Sequence, residues 1–296
     1  MPETIGVYGG TTSFAYSTKE VRGIEELYRF AEPIGSMVDP KETIKFIEWL
    51  PDIEWHEAYV ALLLVRSREL KERFGFKGSD HCLMIKFVPG YHRNVKLKLF
   101  LLLRRMALLA YHAPQIFIYE RHADDEVEVY RIPRELVAVM LSPNPSRWVK
   151  ASVDTCEEFM SSLLDAMMNP QNASNIVRRI DVRVGANAMR RVRHVFHLID
   201  VDDTSLAREL EEKIVEILGY LPARITTARG VHYLIKVSSF NKEMAKKWFS
   251  TIPKVVDELN NGREPQVIEY KKVFQEPVPG ILYKGNHVPR FYPEER

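Results

Sequence analysis

The chain has 296 residues, of which 46% are hydrophobic and 28% charged, and a formal net charge of +2. These fractions are typical of a globular protein and exclude a disordered chain, while the length allows one large domain or two modest ones. The near-neutral charge gives no indication of a nucleic-acid partner by itself, because it averages over local patches.

Several common functional classes are also disfavoured. The two cysteines, Cys82 and Cys156, are far apart and lack metal-type spacing, so no zinc ribbon or disulfide framework is expected. The sequence contains neither a Gly-x-x-x-x-Gly-Lys-Ser/Thr loop nor a Gly-x-Gly-x-x-Gly turn, which argues against a P-loop ATPase or a dinucleotide enzyme. Its apolar stretches are too short to cross a bilayer and it begins without a signal-peptide pattern, so we expect a cytoplasmic protein with no membrane partner.

The first two-thirds of the chain predict a mixed α/β module. Glycines and prolines in residues 1–40 predict an irregular lead-in. Apolar periodicity then predicts helices over Asp39–Leu50, Ala58–Leu70, Lys96–Tyr111 and Thr155–Met168. Strands are predicted over Gln115–Tyr119, Glu126–Tyr130 and Leu136–Leu141, the last stopped by Ser142-Pro143-Asn144-Pro145. We expect this module to cover residues 41–190.

The last third, residues 191–296, has a clearer pattern. Strands are predicted over Val195–Val201, Arg224–Thr227, Val231–Val237 and Gln266–Tyr270. One intervening helix is capped by Thr204 or Ser205 and ends at Gly219, and the other runs from Asn241 to Leu259, with Pro253 expected to kink or split it. The order βαββαβ is that of a ferredoxin-like or RRM-like unit. We therefore predict an α+β fold in which the first module packs on this second one.

Two acids at the end of the first of these strands are the leading candidates for function. Residues two apart on a strand project to the same face, so Asp200 and Asp202 would hold two carboxylates side by side. Such hard oxygen ligands suit Mg²⁺ or Mn²⁺. The usual order of this sheet places the first strand between the third and the fourth, which would bring His232 and Glu269 to either side of the pair.

Each of these residues also has a plainer interpretation. An Asp-x-Asp-Asp run after a strand often caps the following helix, a role that Asp203 fits best. A histidine in a strand is usually structural, and Glu269 could form an exposed ion pair with Lys271 or Lys272.

Four short motifs, in order, resemble those of the archaeo-eukaryotic primase superfamily, in its primase-polymerase branch. The apolar strand ending in Asp-x-Asp is matched by Leu198–Asp202, and the hydroxyl residue followed by Arg-Gly-x-His is matched by Thr227–His232. The third motif, a carboxylate after an apolar pair, resembles Val267–Glu269, and a later Pro-Gly segment resembles Val278–Gly285. The strand and turn at Val139–Arg147 resemble the N-terminal module of the family more loosely. The resemblance covers roughly residues 136–292.

Some positions depart from the family pattern. Ile281 replaces the usual hydroxyl residue of the Pro-Gly segment, and Tyr283 stands where replicative primases often have histidine. There is no zinc knuckle, which indicates a mobile-element or specialised branch rather than a standard replicative subunit.

The resemblance implies a DNA primase or primase-polymerase, a template-directed nucleotidyltransferase that uses two divalent ions, Mg²⁺ or Mn²⁺. It implies that Asp200, Asp202 and Glu269 are catalytic metal ligands. The nucleotide would be bound by His232, Arg229, Gly230, Lys284, His287 and Arg290. The expected partners are a single-stranded DNA template, nucleoside triphosphates and, on other chains, a helicase or an accessory primase subunit.

A basic run precedes the first motif and predicts a surface that binds the nucleic-acid backbone. Its six arginines are Arg178, Arg179, Arg183, Arg190, Arg191 and Arg193. The alternative is an ordinary solvated face.

Two other functions remain open. One is a non-catalytic nucleic-acid-binding module that serves as a replication accessory. The other is a rolling-circle-type initiator nuclease, although His194 and His197 are three apart rather than in the His-x-His pattern that such an enzyme needs.

Overall fold

The computed structural model describes residues 27–28, 30–76, 80–112, 116–121, 127–169, 180–263, 266–283 and 287–295. Its helices are α1 Pro40–Trp49, α2 Ser67–Phe74, α3 Val95–His112, α4 Trp148–Met168, α5 Ile180–Arg190, α6 Ala207–Leu218 and α7 Lys242–Asn260. Its strands are β1 Ala58–Val65, β2 His81–Pro89, β3 Ile116–Arg121, β4 Val127–Ile132, β5 Val137–Ser146, β6 Phe196–Val201, β7 Ala223–Thr226, β8 Val231–Lys236, β9 Ile268–Lys271, β10 Glu276–Pro277 and β11 Arg290–Tyr292. The predicted α+β class is therefore confirmed.

The first sheet has the strand order β10-β5-β1-β2, and all its pairings are antiparallel. The helix predicted over Ala58–Leu70 is wrong: Ala58–Val65 is the strand β1, and the helix α2 begins only at Ser67. All eight residues of β1 are buried, since both faces of the sheet are covered. A short, continuously apolar run of this kind has no periodicity that distinguishes a strand from a helix. The strand β2 was not predicted.

The strand β5 also differs from the prediction, because it continues through Pro143 and Pro145 to Ser146. Its pairing with β1 is irregular at this point: Ala58 pairs with Ser146 but Val60 with Ser142, so β5 carries extra residues there. Both prolines lie in this bulge, where the ladder of hydrogen bonds is interrupted and a missing N–H costs little.

Asn144, between those prolines, fastens β5 to the second sheet. Its buried side-chain oxygen accepts hydrogen bonds from the N–H groups of Val195 and Phe196, at 3.0 and 2.8 Å. Its Nδ2 donates to the carbonyl of Phe196 at 2.8 Å. The start of β6 is thus held by one side chain of the first sheet.

The second sheet has the order β11-β7-β8-β6-β9, so β6 lies between β8 and β9 as the βαββαβ pattern predicted. Alternate residues of β6 face opposite sides. Ile199 packs in a cluster with Trp248 of α7 and Ile214 of α6, whereas Leu198 belongs to a larger cluster that includes residues of the first sheet. Asp200 lies two residues after Leu198 on the same strand, so its side chain projects to the same side and faces the first sheet.

The two helices of this unit lie where they were predicted, but the cap expected from Thr204 or Ser205 is wrong: Leu206 occupies the N-cap position of α6, and no side chain caps it. Gly219 follows α6 with φ 77°, and the Asn241 side chain caps α7 by accepting from Met244 N–H at 2.8 Å. Pro253 does not split the helix, because α7 runs without interruption from Lys242 to Asn260.

The segment after β9 returns to the first sheet, where β10 pairs with β5. The chain beyond the predicted boundary at residue 190 thus contributes to both sheets, and one hydrophobic cluster contains residues from both predicted modules. The division into residues 1–40, 41–190 and 191–296 stays a prediction.

None of the helices in the described ranges is long and apolar enough to cross a bilayer.

Candidate functional site

Asp200 is the centre of the candidate site, because it has a partner directly opposite on both neighbouring strands. In the antiparallel register it faces His232 of β8 on one side and Glu269 of β9 on the other. Side chains directly opposite on adjacent strands project to the same face and have Cβ atoms about 5 Å apart. The three residues predicted from separate motifs therefore meet on one face of the sheet.

A lysine that the sequence suggested only as a partner of Glu269 contacts both carboxylates. Lys271 Nζ donates to Asp200 Oδ2 at 2.9 Å and lies 2.5 Å from Glu269 Oε2. Burial would lower the pKa of Lys271, but the two carboxylates raise it above its ordinary value. One protein cation thus bridges two of the three predicted metal ligands.

His232 links the two sheets. Its Nε2 lies 3.1 Å from Asp200 Oδ1, and its Nδ1 lies 2.6 Å from Oε2 of Glu276, whose side chain on β10 is completely buried. Burial would lower the pKa of His232, but the charge of Glu276 and the contact between His232 and Asp200 raise this pKa to about 10. The imidazole is therefore protonated at neutral pH, with a carboxylate at each ring nitrogen.

The pKa values of the Asp200 and Glu276 carboxylates shift in opposite directions. Burial would raise the pKa of Asp200, but contact with His232 and the charge of Lys271 lower it well below its ordinary value. Burial raises the pKa of Glu276, and His232 only partly offsets that effect. The Oε1 atom of Glu276 is buried and has no hydrogen-bond partner among the described residues.

Asp202 lies beyond the end of β6 and belongs to a surface network of ion pairs. Its Oδ2 accepts from Arg68 of α2 at 3.1 Å, and Arg68 also contacts Glu72 at 3.3 Å. Glu72 in turn pairs with Arg229 at 3.1 Å. Two guanidinium groups are thereby held at the rim of the site, each partly exposed to solvent.

Gly230 is explained by a close backbone approach. A Cβ atom at this position would lie 1.6 Å from the carbonyl oxygen of Val201, between the two acids of the first motif. Thr227 closes the turn by accepting from Gly230 N–H at 3.2 Å. The glycine therefore lets the start of β8 pass against the end of β6, and the expected contact with phosphates remains a prediction.

The segment after the third motif is only partly described. Lys284 lies outside the described residues. His287 pairs with Tyr283 in an isolated bridge and contacts the Thr226 carbonyl at 3.4 Å, while the exposed Arg290 pairs with Thr226 across β11 and β7. Both residues lie at the β7 edge of the sheet, and β8 separates that edge from Asp200 on β6.

Three of the four described arginines of the basic run bond to other residues of the protein. Arg178 and Arg179 lie outside the described residues. Arg183 donates to Ser162 of α4 at 2.5 Å, Arg191 pairs with Asp154 at 2.5 Å, and Arg193 pairs with the buried Glu57 at 2.7 Å. Arg190, at the end of α5, is exposed and is the best remaining candidate for contact with a nucleic acid.

The fit of a divalent cation depends on the donor atoms present. Asp200 and Glu269 each place an oxygen beside one positively charged atom, Lys271 Nζ, so this pair can hold a cation between them. Among the described residues no three His, Cys, Asp or Glu side chains form a group that could hold a metal ion, and Asp202 faces Arg68 instead. Asp200 and Glu269 are therefore the two carboxylates that could hold a cation together, and Asp202 is paired with Arg68 instead.

Asp203 does not cap α6 as predicted, because the N-cap position is Leu206 and Asp203 lies in the preceding turn. Its Oδ1 accepts from the N–H of Ser205 at 3.0 Å, in the turn before α6, and its Oδ2 pairs with Arg263 at 3.1 Å. The sequence did not single out Glu276 or Arg68. Neither lies in one of the motifs, and Glu276 belongs to a two-residue strand that has no periodic signal.

Comparisons of the chain with protein-family models, with curated proteins and with solved structures found no match.

Proposed function

We propose that this protein is a template-directed nucleotidyltransferase of the primase or primase-polymerase type, which joins nucleoside triphosphates on single-stranded DNA. The observation that carries the proposal is the cross-strand register of Asp200 with both His232 and Glu269. The three residues come from three separate motifs of the resemblance, and the pairings bring them to one face of one sheet.

The side chains suit such a reaction. Asp200, Asp202 and Glu269 would hold Mg²⁺ or Mn²⁺, which when bound supplies charge that activates a 3′-hydroxyl and stabilises the leaving pyrophosphate. His232 holds Asp200 in position from the opposite strand and keeps positive charge beside it. Arg229 and Arg68 lie at the rim, where an incoming triphosphate would compete with Glu72 for their guanidinium groups.

Primer synthesis on single-stranded DNA tests this proposal directly. The wild-type protein should incorporate labelled nucleotides when Mg²⁺ or Mn²⁺ is present, and the double variant Asp200→Ala/Asp202→Ala should lose at least about a hundredfold of this activity. Asp203→Asn is the matched control, because it removes the adjacent acid of the same run and should retain activity. Equal product from the wild type and the double variant would refute the proposal.

A second candidate is a nucleic-acid-binding module without catalysis. The bridge from Lys271 to Asp200 and Glu269 favours it, since the two carboxylates are already neutralised by a protein cation. This alternative predicts binding of single-stranded DNA by fluorescence anisotropy, with no incorporation of any nucleotide at any Mg²⁺ or Mn²⁺ concentration.

A further inference from the structure

The amino group of Lys271 lies where a cation held by Asp200 and Glu269 would lie. Its Nζ atom is 2.9 Å from Asp200 Oδ2 and 2.5 Å from Glu269 Oε2. The carboxylates of Asp200 and Glu269 repel each other because the pairing of β6 with β9 places them side by side. The ammonium nitrogen of Lys271 screens this repulsion. A divalent ion would perform the same task with twice the charge.

The two protein cations of the site differ in their freedom to move. The His232 side chain is 14% exposed, its Nδ1 is hydrogen-bonded to the wholly buried Glu276, and its Nε2 lies 3.1 Å from Asp200 Oδ1. The Lys271 side chain is 35% exposed and reaches the carboxylates through a flexible four-carbon stem. The ammonium group can therefore turn to solvent without any change in the sheet, whereas the imidazole cannot.

We propose that Lys271 is a resident counter-ion that a divalent cation must displace, so that Lys271 sets the cation concentration at which the site becomes loaded. This inference rests on the proposed function, since it concerns the same carboxylates. It adds a specific role for a residue that none of the motifs contains. In the absence of a divalent cation the lysine keeps Asp200 and Glu269 together, and when one binds the ammonium group moves away into solvent.

The test measures cation binding without substrate or turnover. Free Mn²⁺ is quantified by electron paramagnetic resonance during titration of the purified full chain. Lys271→Gln removes the competing charge at nearly constant length, and we expect its Mn²⁺ dissociation constant to fall about tenfold, or about 1.4 kcal/mol. Lys271→Met should behave like Lys271→Gln, whereas Lys271→Arg keeps the charge and should remain within about twofold of the wild type.

Lys272→Gln is the matched control. It removes the same charge one residue along the chain, where the side chain is exposed and its Nζ lies 6.0 Å from the ring centre of Phe249. Its Mn²⁺ affinity should equal that of the wild type. Asp200→Asn should abolish binding in both the wild-type and the Lys271→Gln backgrounds, which assigns the measured ion to this site.

The possible outcomes separate the two proposals. If the wild type binds Mn²⁺ through Asp200 but Lys271→Gln binds it no more tightly, the counter-ion role is wrong and the proposed function stands. An equal decrease of the Mn²⁺ dissociation constant in Lys272→Gln would also overturn the counter-ion role of Lys271, because the effect would then come from the overall charge of the protein. If neither the wild type nor Lys271→Gln binds Mn²⁺, although circular dichroism shows both to be folded, the proposed cation site fails and the inference fails with it.

Discussion

His232 and Glu276 form an ion pair that joins the two sheets, with 2.6 Å between Nδ1 of the imidazole and Oε2 of the carboxylate. The other ring nitrogen, Nε2, lies 3.1 Å from Asp200 Oδ1. The imidazole thus lies between a carboxylate of the first sheet and one of the second.

Replacing Glu276 with glutamine should therefore lower the pKa of His232. The variant keeps the shape of the side chain but loses the negative charge, and we expect a decrease of about 1 to 2 pH units in an NMR titration of the imidazole. The control is Glu211→Gln, which removes a carboxylate bonded to Tyr233, the next residue of β8, whose side chain points to the other face. An unchanged pKa in Glu276→Gln would show that this pair does not hold the proton.

The stability contributed by His232 should depend on pH in a defined direction. Its folded-state pKa of about 10 lies above its ordinary value of 6.5, so the folded protein binds the proton more tightly than the unfolded chain. The contribution is complete below pH 6.5 and is lost as the pH rises to about 10. The free energy of unfolding of the wild type relative to His232→Gln should fall across this window, by at most about 1.4 kcal/mol per pH unit. A difference that is constant or increases with pH would contradict the assignment.

Gly230→Ala should destabilise the end of β6. The added methyl group would meet the backbone oxygen of Val201, which cannot move without displacing the neighbouring acids. We expect a loss of at least about 2 kcal/mol in urea unfolding, together with loss of nucleotide incorporation. Gly185→Ala is the control, since its Cβ would meet only the flexible end of Ile85 and should change stability by less than about 1 kcal/mol. Equal stability of the two variants would contradict the close approach.

Arg190 and Arg193 should behave differently although they lie in the same basic run. Arg190→Gln should weaken binding of single-stranded DNA and reduce the salt dependence of binding by about 0.7 in the log–log slope, as expected for one lost phosphate contact. Arg193→Gln should instead reduce stability by about 2 kcal/mol, because it leaves the buried Glu57 without its partner. Fluorescence anisotropy measures the effect on DNA binding, and urea unfolding measures the effect on stability. If Arg190→Gln lowered stability and Arg193→Gln weakened DNA binding, the roles given to these two arginines would be wrong.

The sequence predicted the second sheet better than the first for a physical reason. The elements of the βαββαβ unit have clear boundaries, such as Gly219 with its positive φ and the Asn241 cap, and an amphipathic helix precedes each of β7 and β9. In the first sheet, β1 is buried on both faces and carries no alternation, so its eight apolar residues fit a helix as well as a strand.

The candidate site was predictable only as far as local motifs extend. Asp200, His232 and Glu269 could be placed on neighbouring strands from the order of elements, but their register depends on pairings that the sequence does not display. Glu276 contacts His232 because the chain returns to the other sheet after β9, a long-range feature without a local pattern.

We propose that Asp200, Asp202 and Glu269 hold the divalent cations of a nucleotidyl-transfer site. Anomalous scattering from crystals soaked with Mn²⁺ and a nucleoside triphosphate tests it most directly. We predict an anomalous peak bound by Asp200 and shared with the triphosphate, with Lys271 turned away from the carboxylates. A bound nucleotide with no anomalous peak at Asp200, and with Lys271 still bridging Asp200 and Glu269, would contradict the account.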